Sequence, residues 1–116
     1  MKCDDIAERL EFAVAVLEIT TRLPANSPGR HLASQLVRAG TAGGAHYEEA
    51  RGAESRADFV HKIRLAAKEV RESRTWLNVI QRAKLLETDL SGLLREATEL
   101  AAILAASAKT ARTDSK

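Results

Sequence analysis

An all-α fold, an antiparallel up-down-up-down four-helix bundle drawn out along one axis, is what this sequence predicts, and three observations predict it. The 116 residues are 45% hydrophobic but only 3% aromatic, so Ala and Leu, with Glu, Arg and Lys, supply helix-forming material and little that favours strands. The two prolines, Pro24 and Pro28, fall in one short segment and leave the rest of the chain free to be helical. Apolar residues recur at three- and four-residue spacing in four stretches separated by short connectors, and helices joined that way lie side by side and alternate in direction.

The first stretch runs from about Asp4 to Arg22, with Asp4 and Asp5 placed to cap it and meet the positive end of its dipole. Ile6, Leu10, Ala13, Val14 and Leu17 form the stripe expected to face the core, and Phe12, Val16, Ile19 and Leu23 form a second stripe beside it. Two apolar stripes imply more than one neighbour, either inside the bundle or in a second subunit. Leu23 to Pro28 is a connector, and Ser27 before Pro28 reads as a hydroxyl cap followed by a residue whose missing N–H costs nothing there.

The second helix spans about Pro28 to Arg51, with Leu32, Leu36, Ala39, Gly43, Tyr47 and Ala50 inward. Gly40, Gly43 and Gly44 each cost about 1 kcal/mol relative to Ala, so a kink or break is expected unless a neighbouring backbone approaches closely. A phosphate-cradling loop is the functional rival, but it is not supported by the pattern, since no strand precedes the glycines and no Gly-Lys-Ser/Thr follows. Ser55 and Asp58 open the third helix, about Ser55 to Lys84, as a capping box would. Its Phe59, Ile63, Ala66, Val70, Ser73, Leu77 and Ile80 alternate steps of four and three, a heptad seam. At roughly 30 residues this helix would reach roughly 45 Å, which implies an elongated molecule. Thr88 is the expected cap of the fourth helix, which turns Leu90, Leu93, Leu94, Ala97, Leu100, Ala101 and Leu104 inward. Residues 1–108 then make one domain, and 109–116 a disordered polar tail.

Catalysis finds no support in these residues. Cys3 is the only cysteine, with no base beside it, so neither a disulfide nor a thiol nucleophile is indicated, and no Ser, His and Asp arrangement stands out. Bundle metal sites use inward Glu-x-x-His pairs, and the sequence contains none; His46 and Glu49 share a face but lack a second carboxylate-bearing helix. No cofactor and no small-molecule substrate are expected. With no leader-like segment and no apolar run long enough for a bilayer, the expectation is a cytoplasmic protein without a membrane partner.

From Gln35 to Ile80 the chain carries a long pattern: Gln35, Arg38 and Ala39, then Tyr47-Glu48-Glu49-Ala50-Arg51-Gly52-Ala53-Glu54-Ser55, then Ala57-Asp58-Phe59, and finally Lys68-Glu69, Arg71-Glu72 and Trp76-Leu77. It resembles the 23S rRNA intervening-sequence protein family, and the likeness extends over nearly the whole chain except the tail. His46 departs from it, standing where these proteins commonly carry Asn. The resemblance implies a four-helix bundle, often assembled as a homopentamer, without established enzymatic activity. It also implies structural roles for Gln35, Arg38, Tyr47, Glu48, Glu49, Gly52, Asp58, Phe59 and Trp76. Some members are encoded within intervening sequences of bacterial 23S rRNA genes. A related branch, the accessory proteins of diversity-generating retroelements, is implicated in binding nucleic acid and a reverse transcriptase.

Glu48 and Glu49 read as carboxylates able to pair with Arg38, Arg51 or Arg56, fixing register more than adding stability. Trp76 lies beside the heptad seam, at a core edge or a subunit contact. Arg64, Lys68 and Arg71, with His61 and Arg82, lie along one side of the third helix, where a basic stripe can follow a phosphate backbone and an oligomer would multiply a weak contact. A solvated face explains the same residues, since Glu69 and Glu72 sit close by and Lys68 to Glu72 is an ordinary helical pair. The net charge of +2 and pI near 8.9 do not decide between them. Two functions stay open: a self-assembling bundle that binds RNA, DNA or a nucleic-acid-bound protein, and a structural or protein-interaction module without nucleic-acid affinity. No aromatic platform accompanies the stripe, so sequence-specific reading of bases is not expected in either.

Overall fold

The structure, a computed structural model, describes residues 3–113, with side chains from residue 11 onward. Four helices make it up, α1 Cys3–Thr21, α2 Ser27–Arg51, α3 Arg56–Arg82 and α4 Ser91–Thr113, and there is no strand among the described residues. The described chain measures 51 × 22 × 20 Å with a radius of gyration of 14.9 Å, against about 13 Å for a compact domain of this size. The length comes from α3, whose 27 residues extend about 40 Å. Its two neighbours α2 and α4 pack along it, while α1 packs mainly on α2.

The heptad seam of α3 sits at the centre as its spacing predicts. Ile63, Ala66, Leu77, Ile80 and Ser73 are fully buried, Val70 nearly so, and Phe59 packs half-buried against the same core. Ser73 returns its hydroxyl to the Glu69 carbonyl at 3.0 Å, so its burial leaves no donor unpaired. The inward residues expected for α2 and α4 are also buried, with Leu93 and Leu94 only partly covered.

In α1 the two stripes exchange roles. Phe12, Val16 and Ile19 are buried, whereas Val14 and Leu17 are 53% and 39% exposed. The side chains of Cys3, Asp4, Asp5, Ile6 and Leu10 lie outside the described residues. The reason for the exchange is on α2: a Cβ at Gly40 would stand 2.7 Å from Val16 Cγ1, so the glycine is the socket that draws Val16 inward and with it Phe12 and Ile19. Gly43 plays the same part toward α3, with Val70 Cγ2 and the Ala66 carbonyl at 3.3 and 3.7 Å from its missing Cβ. Close approach therefore replaces the expected kink or break, and α2 is continuous over its 25 residues.

The helix ends refine the expected caps. Asn26, not Ser27, caps α2: its Oδ1 accepts the Gly29 N–H at 2.9 Å, and Ser27 and Pro28 fall inside the first turn. Ser55 caps α3 as expected, accepting the Asp58 N–H at 3.0 Å. Helix α3 stops at Arg82 rather than Lys84, because Lys84 takes φ 56° while its N–H and that of Leu85 return to the carbonyls of Gln81 and Ile80. This double return is the Schellman closure, formed with lysine where glycine is usual. At α4 the acceptor is Asp89 Oδ1, 2.9 Å from the Ser91 N–H; the Thr88 hydroxyl instead lies 3.4 Å from an Arg22 guanidinium nitrogen. Helix α4 continues five residues past Ala108, into the segment read as a polar tail, because Ala108 is buried and Ala111 packs on the core. Residues 114–116 lie outside the described residues.

Candidate functional site

The charged residues of α3 divide between its two flanks, and the division follows its neighbours. Toward α2 they are paired. The Arg38 guanidinium bridges Glu69, at 3.3 Å, and Glu72, with which it makes its shortest contact. Glu72 is held below the ordinary carboxylate value chiefly by its hydrogen bond to Arg38, while burial pushes Glu69 up. One turn from the α2 C-terminus, Glu49 Oε1 lies 3.1 Å from His46 Nδ1 and 3.5 Å from Lys62 Nζ, and these two partners lower its carboxyl in that order. Glu48 pairs with Arg51 at 3.6 Å. Of the partners expected for Glu48 and Glu49, Arg51 is the one used; Arg38 serves α3 instead, and Arg56 donates to the Ala111 carbonyl at 3.4 Å.

The remaining motif residues sit at packing positions or at a helix end. Tyr47 is buried, Gln35 and Asp58 are half-buried, and the Gly52 N–H closes α2 on the carbonyl of Glu49 at 3.2 Å. Trp76 packs against the core edge with the His31 ring set edge-on at 6.4 Å, and its indole N–H is buried without a partner.

Toward α4 the cations of α3 meet other cations. Arg64 and Arg71 flank a notch of about 340 Å³ whose opposite wall carries Lys109 and Arg112 and whose floor is Ala67, Ala105 and Ala108. A second notch, about 320 Å³, adjoins it with Arg56, His61, Arg64 and Arg112 on its walls. Among the described residues no carboxylate lines either one, so these side chains make the local potential positive although the whole chain carries only +2.

Of the stripe read from the sequence, Arg64, Arg71 and His61 are thus brought together. Lys68 is exposed but lines neither notch and acts electrostatically on Glu72. Arg82, in the last turn of α3, is exposed and stands about 27 Å along the helix from Arg64. Arg56, Lys109 and Arg112 were missed, the last two because they fall in the segment read as a tail. Their one signal was the Ala108 and Ala111 spacing, which continues the apolar stripe of α4.

Among the described residues no group of three or more His, Cys, Asp or Glu stands close enough to hold a metal ion, and no helix is long and apolar enough to cross a membrane.

A family model described as 23S rRNA-intervening sequence protein matches residues 5–106. The chain belongs to this family. Its fold is shared with a solved relative, a protein of unknown function from the S23 ribosomal protein family of Bacteroides thetaiotaomicron. That structure is 30% identical, covers 90% of this chain and 98% of its own, and superposes with a TM-score of 0.83. No curated protein sequence matches. In this family member Arg38 with Glu69 and Glu72, and Lys62 with Glu49, pair α2 with α3, and the described cations of the two notches lie on the side of α3 toward α4.

Proposed function

We propose that this intervening-sequence family protein is a non-enzymatic, self-assembling bundle of antiparallel up-down-up-down topology that binds the phosphate backbone of RNA or DNA, free or held in a nucleoprotein. The observation that carries the reading is the set of cations from two helices around one pair of notches, with no carboxylate among the described residues of the walls. Arginine suits this task, because its planar fork meets phosphate oxygens in pairs and keeps its charge at every physiological pH. The alternating topology is supported by connectors of four to eight residues between helices that pack on one another in chain order.

Assembly into a homopentamer is part of the proposal. The outward apolar residues Val14 and Leu17 of α1 support self-association, and five copies would repeat the cationic face. A lone cysteine suits the reducing cytoplasm in which we place it. The same α1 face favours the second reading, a structural or protein-interaction module without affinity for nucleic acid.

Light scattering followed by titration with RNA and duplex DNA at low and moderate salt separates the two. A pentamer whose affinity falls steeply with salt, and is abolished when Arg64, Lys68 and Arg71 are reversed to Glu, supports the first. A pentamer indifferent to both nucleic acids supports the second, and a monomer removes the assembly.

A further inference from the structure

We infer that the two adjoining notches between α3 and the C-terminal half of α4 form one continuous track for a single-stranded polynucleotide backbone, with Arg64 and Arg112 at its centre. The inference rests on the nucleic-acid reading above and narrows it to one strand class and one set of residues. Continuity follows from sharing: Arg64 and Arg112 line both notches, so a chain leaving one enters the other past the same two guanidinium groups. From Arg56 to Arg71 the track follows α3 for about 22 Å.

Its cross-section selects the strand. The floor is made of methyl groups, Ala67, Ala105 and Ala108, and the cations stand on the two helices either side of it. Packed helix axes lie about 8–10 Å apart, so a phosphate lying over the alanines is within reach of both rows at once. A sugar–phosphate chain can sink into concavities of about 340 and 320 Å³. A duplex is a stiff convex rod that cannot sink between the two helices, so its phosphates stay on the rim above the alanine floor. Apart from His61 no ring among the described residues lines the walls, which leaves affinity to phosphate contacts and makes it indifferent to base sequence.

The test is fluorescence anisotropy of the full chain with a labelled twelve-nucleotide oligouridylate and an RNA duplex of equal length, each across a salt series. The single strand is expected to bind at least about tenfold more tightly, with a log–log salt slope of about −0.7 for each phosphate neutralised. Arg64→Glu with Arg112→Glu should weaken it by about 100-fold, and Arg30→Glu with Arg95→Glu, exposed and outside the track, by less than about threefold. Circular dichroism confirms folding, and if Arg112→Glu disturbs α4, Arg64→Glu with Lys109→Glu gives the same comparison. Tighter duplex binding with the same sensitivity to Arg64 overturns the strand class, and equal losses from Arg30 and Arg95 overturn the track. Both outcomes leave nucleic-acid binding standing, whereas wild-type protein that binds neither probe removes the proposed function itself.

Discussion

The two flanks of α3 use small residues to opposite ends. Toward α2, glycine admits a neighbour: Gly43 lets Val70 and the Ala66 carbonyl come within van der Waals reach, and the charges at the rim are neutralised by Arg38 with Glu69 and Glu72 and by Lys62 with Glu49. Toward the end of α4, alanines leave open space, and among the described residues the rim carries Arg64, Arg71, Lys109 and Arg112 and no carboxylate. Small side chains close an interface where opposite charges meet across it. Where like charges face each other, the same economy of side chain leaves a notch, and an external anion is the natural counter-charge.

The largest expected effect comes from the element both flanks share. Ile63 and Leu77 are fully buried in the seam, so Ile63→Asp or Leu77→Asp places an unpaired charge where no partner reaches. Loss of the cooperative thermal transition in circular dichroism is expected; a folded mutant would show that α3 is not the common core of the two interfaces.

Next in size is a contrast between the flanks themselves. Gly43→Leu forces a side chain against Val70, already 3.3 Å from a built Cβ, and should cost about 1–3 kcal/mol by overpacking. Ala105→Leu, on the exposed floor of the notch, should leave stability within about 0.5 kcal/mol while obstructing the anion track. Urea denaturation measures both. Equal costs would mean that the notch is a packed interface like the other.

These positions also show how far the sequence could be read. The α3 seam was legible because only one of its faces is apolar, so periodicity left a single choice. Helix α1 has two apolar stripes, and nothing in their spacing says which is buried; the glycine that decides it, Gly40, is 24 residues further along the chain. The candidate site was half legible for a related reason. Arg64 and Arg71 share a helix face and can be found by counting, but Lys109 and Arg112 join them only through the packing of α4. Arg82 matched the same count and is carried away by helix length.

Smaller effects are expected where backbone alone is changed. Lys84 holds the left-handed conformation at the α3 C-terminus, so Lys84→Gly should stabilise by about 1 kcal/mol, and Gly44→Ala, with nothing within 4 Å of its Cβ, by a similar amount. Thermal midpoints of the two single variants and the double variant measure this, and near-additivity is expected because the sites share no partner. Gly44→Ala should also separate the α2 glycines: a gain there beside a loss at Gly43 confines the need for glycine to the positions that meet a neighbouring helix, Gly40 toward α1 and Gly43 toward α3.

The smallest effects lie in the charges of the α2–α3 flank, where Glu69 and Glu72 respond to acid in opposite senses. Glu72 is lowered by its hydrogen bond to Arg38, so its folded form prefers the carboxylate; its contribution is present above the unfolded value and is lost as pH falls through the lower folded one. Glu69 is raised, first by burial and then by its hydrogen bond with Glu72, so its folded form prefers the proton, and ionising it opposes folding once pH exceeds its ordinary value. Glu72→Gln should therefore lower stability at pH 7, and Glu69→Gln should raise it slightly, with both differences shrinking toward pH 3. Urea midpoints at the two pH values read the signs. Two losses of equal size would show that Arg38 holds both carboxylates alike and that burial of Glu69 carries no cost. In contrast, Arg71→Gln on the opposite flank should leave the acid dependence unchanged, since no carboxylate among the described residues shares its notch.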